Sequence, residues 1–246
     1  MQVSTMGIII RQRSVGDDRW VTILTRDRGV LGAFARGAKN PRGKLCAASE
    51  LFCYSRMNLF AYRDRVTLDS AEIEAPFFEL RQDLTAFSLA SYIAELCCEL
   101  APKEEEAPEY LRLVLNCLQL LKTNARPAPL LKAIFELRLL TMAGYMPDLT
   151  GCARCGEYAG DSMRFCIESG ELLCGRCAAE PDTAMILPSG VLAAMRHILY
   201  SDFEKLFSFS LSREGTAVLA DLCERYLQHH VQRSFQSLEF YHSVVL

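Results

Sequence analysis

Residues 152–177 read CARCGEYAGDSMRFCIESGELLCGRC, two CxxC pairs, Cys152/Cys155 and Cys174/Cys177, separated by 18 residues. Two residues between cysteines let one tight turn aim both sulfurs at a single metal ~2.3 Å away, and this spacing matches a tetrahedral thiolate site. Gly156, directly after the first pair, can take the positive φ that closes such a knuckle. Met163–Glu168 and Glu171–Leu173 flank Ser169-Gly170 and read as a hairpin that returns the second knuckle to the first. Arg154, Arg164 and Arg176 lie close enough in sequence to offset the −2 charge of four thiolates and a dication. The expectation is one structural Zn²⁺, with reduced thiols or an iron–sulfur centre as the other options. A catalytic zinc needs an open ligand position. Moreover, none of His197, His229, His230 or His242 opens a His-x-Glu signature.

Helical periodicity surrounds this island. Upstream, Leu80, Leu84, Phe87, Tyr92, Ile93 and Leu96 recur at three- and four-residue spacing, as do Leu111, Leu115, Leu118 and Leu121. Leu130, Ile134, Leu137 and Thr141 continue the pattern until Gly144 and Pro147 end it. Downstream, Ser189–Tyr200 and Ser212–Val231 read as helices, each opening on a serine N-cap. His229-His230 near the last helix end reads as a capping pair. Cys97, Cys98, Cys117 and Cys223 fall within helical patterns as small core residues, while Cys46, Cys53 and Cys166 lack a CxxC partner.

Before Phe77 the period is two. Gly7–Arg13, Arg19–Arg26, Val30–Arg36, Leu51–Ala61 and Arg65–Ile73 read as five strands, and an OB-type barrel is the commonest five-stranded solution. The expected architecture is α+β. A barrel at 1–77 precedes a helical domain at 78–246, which carries a metal-binding ribbon inserted at about 148–182.

Charge divides along the same line. Residues 1–65 hold twelve basic and five acidic side chains, whereas the remainder holds 15 and 25, for a total of −3. A basic module on an acidic body points to a polyanion partner for one part only. Along the fourth strand Leu51, Cys53, Ser55, Met57 and Leu59 should face inward, leaving Phe52, Tyr54, Arg56, Asn58 and Phe60 outside. Aromatics mixed with arginine stack bases and neutralise phosphates in single-strand binders. Arg11 and Arg13 share a face of the first strand, and Phe34 and Arg36 share a face of the third. That strand feeds a loop carrying Arg36, Lys39, Arg42 and Lys44, which reads as flexible and suited to tracking a backbone. The expected DNA contacts are therefore Arg11, Arg13, Arg36, Lys39, Arg42, Lys44, Tyr54 and Arg56. A helix groove near Lys132 or Arg138 is the expected seat of an acidic-hydrophobic protein tail.

Several classes are excluded or unsupported. No apolar run reaches the ~18 residues of a membrane helix, and no basic segment precedes Ile8-Ile9-Ile10 as in a signal peptide, so a cytoplasmic chain is expected. GxxxxGK[ST], GxGxxG, GxSxG and HExxH motifs are absent, and no enzyme activity is expected.

Four stretches resemble the bacterial RecO family of DNA-repair proteins. They are Arg36-Gly37-Ala38-Lys39; Ser91-Tyr92-Ile93-Ala94-Glu95-Leu96; Phe135–Leu140 running to Gly144-Tyr145-Met146-Pro147; and Cys152–Cys155 followed by Phe165, Glu168, Gly170, Cys174 and Cys177. The basic loop departs from the family pattern at Asn40 and Gly43. The resemblance implies an N-terminal OB domain, a helical body with a zinc-binding insertion, and a non-enzymatic role. It implies binding to single- and double-stranded DNA, strand annealing, and help in loading recombinase onto strands covered by single-strand-binding protein. The implied partners are RecR, the C-terminal tail of single-strand-binding protein, RecA and, in some lineages, RecF. A repair adaptor that contacts only proteins is the alternative, and a metal-dependent nucleic-acid enzyme is a third.

Overall fold

Five strands close on themselves in a computed structural model that describes residues 2–63, 65–160, 162–178 and 184–245. They are β1 (Gln2–Val15), β2 (Asp18–Thr25), β3 (Gly29–Ala35), β4 (Tyr54–Tyr62) and β5 (Arg65–Ala75). The barrel order is β1-β2-β3-β5-β4, with β4 returning to β1. Only the β3/β5 pair is parallel. This is the expected OB-type barrel. Period-two alternation fills it with Ile9, Val21, Ile23, Ala33, Ala35, Met57, Leu59 and Leu68.

Among the described residues three bulges interrupt that alternation, one of them at Glu74 near the end of β5. Ile9 pairs with Ile23 but Arg11 pairs with Thr22, so Ile10 is an extra residue that turns Arg11 and Arg13 to the outer face. On β5, Leu68 pairs with Leu59 and Ser70 with Asn58, leaving Asp69 as the extra residue.

The fourth strand starts later than the sequence suggested. Phe52 has φ 66, a left-handed conformation in which a strand cannot continue, and its ring is buried edge-on to Phe87 at 6.0 Å. It is therefore a core residue and not an outward-facing one. A short helix with no sequence signal, α1 (Leu45–Ala48), adds Leu45 to the barrel core. Arg19 holds the end of α1 by bonding Cys46 O at 2.7 Å and Ser49 Oγ at 2.9 Å, and it pairs with Glu50 at 2.5 Å. Arg81 reaches the other Glu50 oxygen at 2.9 Å.

Helices follow a 3₁₀ turn at Phe78–Gln82: α2 (Leu84–Leu100), α3 (Pro108–Lys122), α4 (Ala128–Met142), α5 (Ser189–Tyr200), α6 (Arg213–Val231) and α7 (Gln236–Val245). Asp83 caps α2 through Ala86 N at 2.9 Å, and Ser212 caps α6 through Gly215 N at 3.0 Å. The expected Ser189 cap is not formed. Pro188 holds the N-cap position and Ser189 is the first helical residue. No helix among the described residues is long and apolar enough to cross a membrane.

The strands give way to helices at residue 77, but the compact units divide elsewhere. One is Met1–Ala125 with Phe235–Leu246, and the other is Arg126–Ser234. Within the first, α2 and α3 pack on barrel strands and α7 returns onto α2. Phe235 stacks edge-on to Tyr92 at 6.0 Å, and Glu95 Oε2 accepts from Ser237 N at 3.1 Å. The α2–α3 linker is laced to the β2–β3 turn. Val30 N donates to Pro102 O at 2.8 Å, and Ala107 N donates to Arg26 O at 2.8 Å. Gly29 sits at φ 56, where a Cβ would stand 2.1 Å from Pro102 O.

The second unit packs α4 against α5 and α6. Helix α4 is buried on nearly every side, which overturns the expected partner groove at Lys132 and Arg138. Lys132 lies in the interior and pairs with Glu136 at 2.9 Å and Glu224 at 2.6 Å. Burial alone would lower the Lys132 pKa, but the two carboxylates outweigh it and raise it above 10.5. The Arg138 guanidinium donates to Ile198 O and Leu199 O at 3.1 and 2.8 Å and lies 4.8 Å from the Phe203 ring. It thereby satisfies carbonyls in the last turn of α5. His230 likewise does not cap α6. Its ring packs 4.3 Å from Tyr226 and 5.5 Å from Tyr145, and burial lowers its pKa.

Candidate metal centre and nucleic-acid interface

A four-stranded sheet carries the cysteines. It comprises β6 (Asp148–Cys152), β7 (Arg164–Cys166), β8 (Glu171–Leu173) and β9 (Ala184–Ile186) in the order β6-β8-β7-β9. The β7–β8 hairpin turns at Gly170, φ 70, as its Ser-Gly pair suggested. Gly156 adopts the expected positive φ of 75. Its amide donates to Cys152 O at 2.8 Å, and Cys177 N donates to Cys174 O at 3.0 Å, so both CxxC segments close as turns. Residues 179–182, at the end of the expected insertion, lie outside the described residues.

The four sulfurs lie within 4.8 Å of one another, with Cys155 Sγ and Cys174 Sγ at 3.6 Å. Four thiolates ~2.3 Å from one dication stand ~3.8 Å apart, so the cluster could hold a metal ion. Backbone amides, that of Cys174 foremost, bring the Cys152 thiol down to about 6. Side-chain hydrogen bonds to Cys155 and Cys174 push Cys177 up to about 12. Arg154 bridges the two turns through Cys177 O at 2.7 Å, whereas Arg176 pairs with Glu157 at 3.1 Å. Arg196 on α5 donates to Leu149 O and Tyr158 O at 2.8 and 2.6 Å and fixes the ribbon on its unit.

The outer wall of the barrel carries a continuous row. Arg13 pairs with Trp20, Trp20 with Phe34, Phe34 with Thr67, and Thr67 with Phe60. Directly paired residues share a face, so this row runs across all five strands. Trp20 lies over Gly32, where a Cβ would meet its ring at 2.4 Å, and meets Phe34 edge-on at 4.9 Å. Tyr62, opposite Arg65, extends the row with Arg63 5.3 Å from its ring.

The loop after β3 is held in shape, contrary to the expected flexibility. Gly37 N donates to Asp18 Oδ1 at 2.7 Å, Lys39 N to Asp17 O at 3.1 Å, and Ala38 is wholly buried. Asn40 Oδ1 accepts from Arg42 N at 3.1 Å, and Asn40 O accepts from Gly43 N at 2.8 Å. The backbone is thus fixed while Arg36, Lys39, Arg42 and Lys44 stay exposed. With Arg11 and Arg13, none of these six forms an ion pair with a described residue. Tyr54 and Arg56 do not join them. Tyr54 stands six residues from Phe60 along β4, ~20 Å away, in a groove with Arg26 and Arg112. Arg56 faces Glu74 at 3.8 Å.

Residues 1–77 match the family model described as "Recombination protein O N terminal", and residues 81–239 match "Recombination protein O C terminal". The chain belongs to the RecO family. It is 37% identical over 239 residues to the DNA repair protein RecO of Symbiobacterium thermophilum, covering 95% of this chain and 94% of that protein. Identity to the RecO protein of Acetivibrio thermocellus is 31% over 240 residues, 97% of this chain and 95% of the other. The Anaeromyxobacter dehalogenans RecO protein is 33% identical over 243 residues, with 97% and 95% coverage. RecO proteins are named for DNA repair and not for a catalysed reaction, and membership implies DNA and recombination proteins as partners in general. Of the residues that build the outer row, Trp20, Thr67, Tyr62, Arg63 and Arg65 have no place in the contacts expected from the sequence. The alternation Trp20, Thr22 against Val21, Ile23 is the signal that could have found Trp20.

Proposed function

We propose that this RecO chain is a non-enzymatic recombination mediator acting at the nucleoid. It binds single- and double-stranded DNA whatever the sequence, anneals complementary strands, and helps load recombinase onto strands covered by single-strand-binding protein. The supporting observation is the row of Arg13, Trp20, Phe34 and Phe60 beside the fixed cationic loop. Guanidinium and ammonium groups neutralise phosphates there, while the exposed Phe60 ring and the half-buried Trp20 and Phe34 rings offer faces to bases. With two strands neutralised on one surface, the repulsion that opposes their pairing falls. Tyr54 and Arg56 belong to the proposed contacts as a separate patch. The working partners are RecR, the tail of single-strand-binding protein, RecA and, in some lineages, RecF.

The proposed metal is one Zn²⁺ held by Cys152, Cys155, Cys174 and Cys177. A shell closed by four thiolates leaves no position for substrate, so the ion ties the two turns together and does no chemistry. The function is tested by titrating a labelled single strand at several salt concentrations. Contact with ~6 phosphates gives a log–log slope near −4. A slope near zero, or unchanged affinity after replacing Arg36, Lys39, Arg42 and Lys44 together by Ala, overturns it and leaves the adaptor.

A further inference from the structure

The end of the outer row opens into a groove of about 430 Å³, within the ~300–1,000 Å³ typical of small-ligand sites. Phe60 and Tyr62, 48% and 61% exposed, line it from β4. Arg36, Arg65 and Asp69 also line it. Neither arginine forms an ion pair with a described residue, and Asp69 is bonded by none.

Aromatic faces beside free guanidiniums suit a nucleotide, with the base on the rings and its phosphates on the arginines. A carboxylate does not suit the phosphate. Ionised, it can only accept hydrogen bonds, so its counterpart must be an N–H on the base edge. Asp69 owes its place to the β5 bulge, which leaves it without a partner in the ladder. Bulges of this kind re-aim side chains at functional surfaces.

Resting on the reading that the barrel binds single strands, we propose that this groove is a base-selective subsite. It takes one unstacked base and favours cytosine over thymine. Cytosine offers its N4 amino group to the Asp69 carboxylate, the pairing that acidic side chains make with this base. In that pose thymine sets O4 against the same oxygens, and its single N–H, at N3, lies between two carbonyl acceptors that repel them, so it is the weaker partner. The result is a base preference laid over sequence-independent backbone binding.

The test measures affinity of the full chain for oligo-dC and oligo-dT of equal length at one salt concentration, by fluorescence anisotropy, for the unaltered protein and for Asp69→Asn. An amide both donates and accepts, so the variant treats the two bases alike. Its dC-to-dT affinity ratio should fall about fivefold from the unaltered value. The ratio cancels the general gain from removing a negative charge, and Asp69 is exposed, so equal melting temperatures are expected. Tyr62→Ala should weaken both strands together. An identical ratio in the two proteins overturns the subsite while leaving DNA binding intact. Failure of the unaltered protein to bind either strand overturns both.

Discussion

Phe52 and Phe60 lie eight residues apart and both fall on the outward register of one sequence stretch, yet only Phe60 reaches solvent. A left-handed φ at a non-glycine residue leaves no compositional trace, so the burial of Phe52 against Phe87 was not legible. The cysteine cluster was legible because CxxC spacing is itself a geometric constraint. Cys152→Ser keeps the size of the side chain and removes one thiolate. Its melting temperature is expected to fall to that of chelator-treated protein and to stop responding to added Zn²⁺, as thermal melts with and without chelator would read. Lys132 shows a different failure. Its charge suggested a surface, but the surrounding Leu130-Leu131 and Ala133-Ile134-Phe135 are apolar on every side, the mark of a buried helix. Lys132→Ala strands Glu136 and Glu224 without their cation. It should cost about 3–5 kcal/mol in urea unfolding at pH 7.

Strands were easier to read than the short pieces joining them, because alternation repeats over many residues whereas a four-residue helix such as α1 has no period. The Arg19–Glu50–Arg81 clamp that holds it makes a pH-dependent contribution. Burial by itself would raise the Glu50 carboxyl, but the hydrogen bond from Arg81 and the charge of Arg19 hold it below its ordinary 4.5. A carboxyl depressed in the folded state stabilises the fold above its unfolded value, and that stabilisation is lost as pH falls through the folded value. Stability measured by urea unfolding should therefore decline below about pH 4.5, and Arg81→Ala should flatten that decline. The lacing between the β2–β3 turn and the α2–α3 linker predicts a strong local effect. Gly29→Ala must leave φ 56 or displace Pro102. A loss of about 1–3 kcal/mol is expected, with faster amide exchange at Val30 and Ala107.

At the scale of the molecule, the barrel, the helical body and the ribbon were visible in order along the sequence, but the grouping of helices was not. Periodicity shows that a helix has an apolar face and not which surface covers it. Hence the sequence carries no sign that α2 and α3 touch barrel strands or that α7 packs on α2. The same division has a temporal side. Because Phe235 and Ser237 complete the packing of α2, residues 126–234 are an insertion within the first unit. A ribosome therefore exposes the barrel and its two helices long before it delivers the helix that covers α2. During that interval the nascent chain carries an open apolar surface for chaperones to shield.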